Sequence, residues 1–241
     1  MNADIITRLP WDSKHFGIDV AKVNANRLTE QSVCEVQAWL GTNTIDCLYF
    51  MAVPEAATLQ YAAGLGFRFV DARVTLESAP RPTLAARGIR LATPGDLPNL
   101  YRIAAESHHD SRFYVDGRFK LDACNELYRI WITKGLSDEG GAVFVPDIDG
   151  NPAGYISINV KNGVGHISLL AVDAQYRGRH LATELMRAAN SWFLSREVTK
   201  FEVPTQAGNI PALRLYESCG FRISQIEPWY HRWTAEQPSN V

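Results

Sequence analysis

The chain lacks most of the features that fix a protein's class at once. Its four cysteines, Cys34, Cys47, Cys124 and Cys219, lie 13, 77 and 95 residues apart. That scatter has neither metal-ligand spacing nor a CxxC redox pair, so no metal site is expected and buried free thiols fit a reducing compartment. Net charge is only −2, from 24 basic and 26 acidic residues, so no basic field gathers nucleic acid. No apolar run approaches the roughly 18 residues that a membrane helix needs. The first dozen residues lack a cationic head followed by an apolar stretch, so no signal peptide is expected. A GxxxxGKS/T loop and a GxGxxG turn are both missing. What remains is a soluble, cytoplasmic protein with no nucleic-acid and no membrane partner.

What is present is globular. Of 241 residues, 46% are hydrophobic and 21% charged, enough for a sizeable core and too apolar for disorder. The strongest break runs from Glu77 to Gly88, where two prolines and small residues read as a linker. The expected units are therefore 1–77, a linker over 78–88, and 89–241. Leu59–Phe69 (LQYAAGLGFRF) echoes Leu213–Ile223 (LRLYESCGFRI) at an offset of 154, each a helix ending in Gly before an aromatic-led strand. Upstream, Phe50–Pro54 echoes Lys200–Pro204, with four extra residues in the second copy. In this reading the N-terminal half is a degenerate copy. Ala62 stands there at the place of Tyr216, so the chemistry belongs to the second copy.

In the second half, Thr93 to about His108 reads as a helix and Ser111–Phe119 as an irregular aromatic and basic loop. Leu121–Lys134 reads as a helix closed by Gly135. Strands follow over Ala142–Asp147, Gly154–Val160 and Val164–Val172, then a helix Leu181–Phe193, a strand Phe201–Val203, a helix Pro211–Ser218 and a last strand from Phe221. This order predicts a mixed α/β (α+β) sandwich, not a doubly wound sheet.

The informative segment is Ile167–Met186, ISLLAVDAQYRGRHLATELM. A strand ends at Val172 and a turn with Arg177, Gly178 and Arg179 feeds a helix. Unpaired N–H groups and the positive end of the helix dipole make such a place an anion site, with pyrophosphate as its natural guest. The competing reading is a tight turn with exposed arginines.

These residues carry a resemblance. Val172-x4-Arg177-Gly178-Arg179-x-Leu181-Ala182 resembles the acetyl-CoA signature of the GNAT acetyltransferase superfamily, R/Q-x-x-G-x-G/A, with His180 in place of the middle glycine. Asn209–Phe221, NIPALRLYESCGF, resembles the family's closing motif. The resemblance implies a GNAT fold with a degenerate GNAT-like N-terminal half. It implies acetyl-CoA as co-substrate, lying in a strand splay beside Leu170, Ala171 and Val172. Its pyrophosphate would rest on Arg177, Gly178, Arg179, His180, Leu181 and Ala182, with Asn209 bonding the pantetheine arm. Tyr216 takes the place of the tyrosine that protonates the departing thiolate, a role suited to a phenol.

Trp11-x4-Phe16-Gly17, Leu65-Gly66-Phe67 with Val70-Asp71, and Ser111-Arg112-Phe113 follow in the order of the TDP-fucosamine acetyltransferase family. That resemblance spans about Trp11 to Trp233. It implies acetyl transfer to the amine of a dTDP-4-amino-4,6-dideoxyhexose and suggests a homodimer. Asp71, Arg112, Phe113, Tyr114 and His231 are the expected acceptor-side residues, although Asp71 also reads as a solvated carboxylate near a helix. Arg112 and the aromatics around it suit a phosphate and a base. Trp11 and Phe16 read as packing between the halves. Two other readings stay open: a GNAT enzyme for another amine, and a non-catalytic CoA-binding module.

Overall fold

The computed structural model describes residues 4–234. The first part runs β1 (Ile6–Arg8), α1 (Pro10–Phe16), β2 (Val20–Val23), α2 (Glu30–Thr42), β3 (Cys47–Met51), α3 (Ala56–Gly64) and β4 (Arg68–Ser78). Helix α1 stops at Gly17, whose φ of 67° gives the left-handed turn. Helix α2 starts at a capping box between Thr29 and Ser32. The CLYF run of β3 is buried on both faces, as an unbroken apolar strand demands.

Residues 79–88 form neither helix nor strand. They lie along α7 (Leu181–Leu194), where Asn190 holds the backbone N–H and C=O of Arg81 at 3.1 and 2.7 Å. Next come β5 (Ile89–Leu91), a 3-10 turn at Pro94–Asp96, α4 (Leu97–Ser107), α5 (Arg112–Val115) and α6 (Leu121–Ser137). Two expectations are corrected here. One turn of helix, α5, stands in the stretch read as irregular. Gly135 lies inside α6 and does not end it: a Cβ there would meet Ser157 Oγ at 2.4 Å, so the glycine permits close helix–sheet approach. The chain closes with β6 (Gly141–Ile148), the short β7 (Asn151–Pro152), β8 (Gly154–Lys161), β9 (Val164–Val172), α7, β10 (Phe201–Gln206), α8 (Ile210–Ser218) and β11 (Arg222–Trp233).

The fold is mixed α/β. One sheet runs β1-β2-β3-β11-β4-β10-β9-β8-β6-β5, with β7 paired to β6. Strands β2–β3 and β10–β9 are parallel, and the other neighbours are antiparallel. About the β11–β4 pair, β3-β2-β1 on one side matches β10-β9-β8 on the other, β6 and β5 having no counterpart, and the register follows the same symmetry. Thr75 faces Gln225 while Asp71 faces Trp229; Leu76 faces Ile223 while Phe69 faces Tyr230. Each such pair maps onto the other through the offset of 154. The two skipped residues, Val70 and Ser224, map onto each other as well. The pseudo-twofold axis passes the pair Arg73–Glu227, which maps onto itself. The upstream echo needs a correction of three residues. Met51 faces Trp229 as Pro204 faces Thr75, so Met51 is the counterpart of Pro204, not of Phe201.

Helices cover both faces of β8–β9. Tyr155, Leu169 and Ala171 pack towards α4 and α6, and Ile156, Ile158 and Ile167 towards α7. The first of these cores also takes Phe16, Cys47 and Tyr49 from the first part of the chain. Phe16 sits 5.2 Å from Phe113 and 4.6 Å from Phe119 between ring centres, so its expected packing role holds. Burying such a ring contributes about 2–3 kcal/mol.

Candidate active site

The site begins where β9 and β10 part. They pair only at Gly165–Phe201 and His166–Glu202. Beyond that, β9 continues on β8 alone and β10 continues on β4 alone. The separation has local causes. Ser168 bulges out of the β8–β9 register, and Pro204 has no N–H to offer a neighbour. The facing backbone edges are left unpaired, and a cleft of about 530 Å³ opens between them. That is room for small-ligand groups. Leu170, Asn209 and Tyr216 line this cleft.

At the far end of β9 lies a second hollow of about 250 Å³, formed by Val172, Tyr176, Arg177, Gly178, His180, Leu181 and Ala182. The turn is held from below. Buried Asp173 accepts the Gln175 N–H at 3.1 Å and pairs with Arg102. Gly178 (φ 77°) and His180 (φ 59°) both take left-handed conformations, and His180, Leu181 and Ala182, at the start of α7 where backbone N–H groups lack helical partners, line the hollow. A Cβ at Gly178 would meet nothing within 4 Å, leaving the backbone there open to a bulky anion. Arg177 Nε donates to Val172 O at 3.2 Å, and the Arg179 guanidinium lies over the Tyr176 ring.

Asn209 caps α8, its Oδ1 accepting the Ala212 N–H at 3.1 Å. Its amide NH₂ bonds no other group among the described residues, and Asn209 lies on the cleft lining. Tyr216 is buried up to its place on the cleft wall, and burial raises its pKa well above that of a free phenol. Its hydroxyl therefore stays protonated at neutral pH.

Residues 98–221 match the profile of the Acetyltransferase (GNAT) family, just over half the chain. This chain belongs to the GNAT acetyltransferase family. It is 27% identical over 231 residues to the dTDP-fucosamine acetyltransferase of Escherichia coli O6:H1, covering 94% of this chain and 97% of that one. It is 26% identical over 144 residues to the spore coat polysaccharide biosynthesis protein SpsD of Bacillus subtilis, covering 60% of this chain and half of that protein. Among solved structures, a GCN5-related N-acetyltransferase from Sphaerobacter thermophilus superposes at a TM-score of 0.63 with 16% identity, over 95% of this chain and 76% of that one. That likeness shows the fold.

GNAT acetyltransferases use acetyl-CoA, and the residues here fit it. The hollow at α7 suits the pyrophosphate, and the unpaired edge of β9 between the hollow and the cleft suits the extended pantetheine arm. Ala171 can take part only through its backbone, because its side chain is buried in the core. Among its described residues the N-terminal half has no such place: β2 and β3 stay paired throughout Val20–Lys22, and α2 opens with Glu30.

Of the residues expected on the acceptor side, Asp71, Arg112 and Phe113 line the cleft. Asp71 is half-buried on a strand, so it is not the solvated carboxylate near a helix that the sequence also allowed. Burial pushes its carboxyl up to about 6, against the pull of Arg112. Two other expected residues lie off the lining. Tyr114 spends its hydroxyl on Asn125 Oδ1 at 2.9 Å, and His231 is buried behind Arg112. The sequence reading missed Asp12, Arg73, Trp131 and Trp229, which do line it, and misplaced Trp11. Trp11 is half exposed on the cleft and stacks flat on His15. His108, at about 4 through burial, is a neutral imidazole bonded to the Tyr155 hydroxyl at 2.7 Å.

Proposed function

We propose that this GNAT enzyme moves acetyl from acetyl-CoA to the amino group of a dTDP-amino-dideoxyhexose, the 4-amino-4,6-dideoxy sugar first. The observation that carries the proposal is the charge pattern of the acceptor wall. Asp71 and Asp12 stand in one cleft with Arg112 and Arg73. Such a wall complements an acceptor that carries an amine and an anion together, and favours it over a polycation. The similarity to a dTDP-fucosamine acetyltransferase along almost the whole chain supports the same class.

Bound acetyl-CoA would supply an electrophilic thioester carbonyl. Unpaired N–H groups of β9 around Leu170–Val172 would polarise that carbonyl. Asp71, at about 6, is a better base at neutral pH than His108, at about 4, and accepts the ammonium proton directly or through water. Tyr216 keeps its proton for the leaving sulfur. None of the four cysteines lines the cleft: Cys47 and Cys124 are buried thiols whose pKa burial raises, Cys219 is half-buried, and Cys34 is exposed, against the expectation of buried thiols.

Thiol release from acetyl-CoA tests this, with dTDP-3-amino and dTDP-4-amino dideoxysugars beside spermine and an aminoglycoside. Release with one nucleotide sugar is the expected result, and Tyr216→Phe should lower its kcat by about a hundredfold. Release only with the cationic controls would discard the acceptor proposed here.

A further inference from the structure

Arg112 stands on the cleft lining in an unusual setting. Its guanidinium carbon lies 4.0 Å from the ring centre of Phe113 and 4.3 Å from those of Tyr49 and Trp229. Aromatic faces hold the cation by its faces and leave only its N–H edges for hydrogen bonding. One edge is occupied: Nη1 meets His231 Nε2 at 2.8 Å. Arginine keeps its proton at any ordinary pH, so it must be the donor and Nε2 the acceptor. The imidazole proton then sits on Nδ1, which meets Asp116 Oδ2. The same carboxylate oxygen accepts the Trp233 indole N–H at 3.0 Å. Both side chains are out of solvent, His231 at 0% and Asp116 at 5% exposure. Burial and the Arg112 charge both keep this imidazole neutral.

The order of the three groups matters. A carboxylate in direct contact with Arg112 would fix its position but neutralise its charge. Among the described residues none pairs with it within 4.0 Å; the carboxylate is set one ring away, and a neutral nitrogen makes the contact. The guanidinium is thus held on a cleft lining it shares with Asp12 and Asp71, with no carboxylate in contact to neutralise its charge. We infer that Asp116 and His231 are positioning residues that aim the Arg112 guanidinium at an oxyanion of the acceptor, phosphate in class. The inference rests on the acceptor proposed above and adds the group on it that is recognised.

The test uses the full chain and thymidine diphosphate as probe, titrated by calorimetry, beside steady-state kinetics with the nucleotide sugar. Arg112→Lys and His231→Phe should each weaken the probe at least tenfold and raise the acceptor KM, leaving the acetyl-CoA KM within about twofold. His231→Gln, whose Oε1 can accept from the guanidinium, should recover most of the loss. The Arg112→Lys/His231→Phe double variant should be little weaker than Arg112→Lys alone, because the two act as one unit. In the unaltered protein, ¹⁵N NMR at pH 7 should show His231 neutral with its proton on Nδ1, a readout that survives even if a variant fails to fold. Undiminished binding in the His231 and Arg112 variants, additive losses, or an imidazolium at His231 would overturn the inference and leave the acceptor class standing. An unaltered protein that ignores thymidine diphosphate yet acetylates another amine would remove both.

Discussion

Asp71 shows how the site works at the scale of one residue. Its neighbours in sequence, Val70 and Ala72, are ordinary strand residues, and only the fold places its carboxyl in a half-buried cleft with Arg112 across from it. Burial raises its pKa to about 6, so folding makes ionisation harder. Two consequences have opposite signs. As the base proposed above it must be ionised, so kcat/KM for the acceptor should fall about tenfold per pH unit below 6. As a contributor to stability the ionised form is a cost: between about 4 and 6 the folded state holds the proton more tightly, and stability declines as pH rises. Asp71→Asn should therefore lower kcat/KM by about a hundredfold, flatten its profile below pH 7, and raise Tm at neutral pH. A pH–rate series with parallel thermal melts checks all three; an unchanged profile would remove Asp71 as the base. The placing of individual residues on the cleft was legible where the pattern is local, as at Tyr216 and Asn209 inside one motif. Arg112 and His231 are 119 positions apart, and nothing near either tells which of them lines the cleft.

At the scale of elements, the turn between β9 and α7 was the most readable part of the chain. A strand, a Gly-Arg turn and a helix lie in one continuous stretch, so few long-range contacts are needed to shape it. The departure at His180 has a physical reading. The position demands φ near +59°, which costs a non-glycine residue about 1 kcal/mol, although histidine tolerates it better than most. His180→Gly should remove that strain, offset partly by a freer unfolded chain, for a net gain of up to about 0.5 kcal/mol. His180→Val, whose branched side chain resists this region, should cost more than 1 kcal/mol. Urea denaturation of the two variants measures the difference; equal stability would mean that the turn relaxes to another backbone shape. Gly135 was misread because a glycine after a helical pattern usually ends it. Here the sheet, through Ser157, needs the space more than the helix needs a side chain.

At the scale of the molecule, the repeat was legible but its consequence was not. An offset of 154 announces two related units, yet sequence similarity carries no information about which strand pairs with which. The structure shows an exchange: β3 pairs β11 and β10 pairs β4, so each unit's last strand lies against the other unit's strand. A stretch starting at residue 89 would therefore lose β4 from the middle of the sheet. That loss would take Val74 and Leu76 out of the core they share with Val203 and Phe221 and leave β10 and β11 with unpaired facing edges. It would also strip Phe16 and Tyr49 from the core under the acceptor wall. The two units should then fail apart and succeed together. Residues 89–241 expressed alone should aggregate or show no cooperative unfolding. Co-expression with residues 1–88 should restore a soluble pair that melts as one and binds acetyl-CoA. A soluble 89–241 fragment with a cooperative melt and acetyl-CoA affinity close to that of the whole chain would show that β4 is dispensable. The exchange would then serve only to place the acceptor wall.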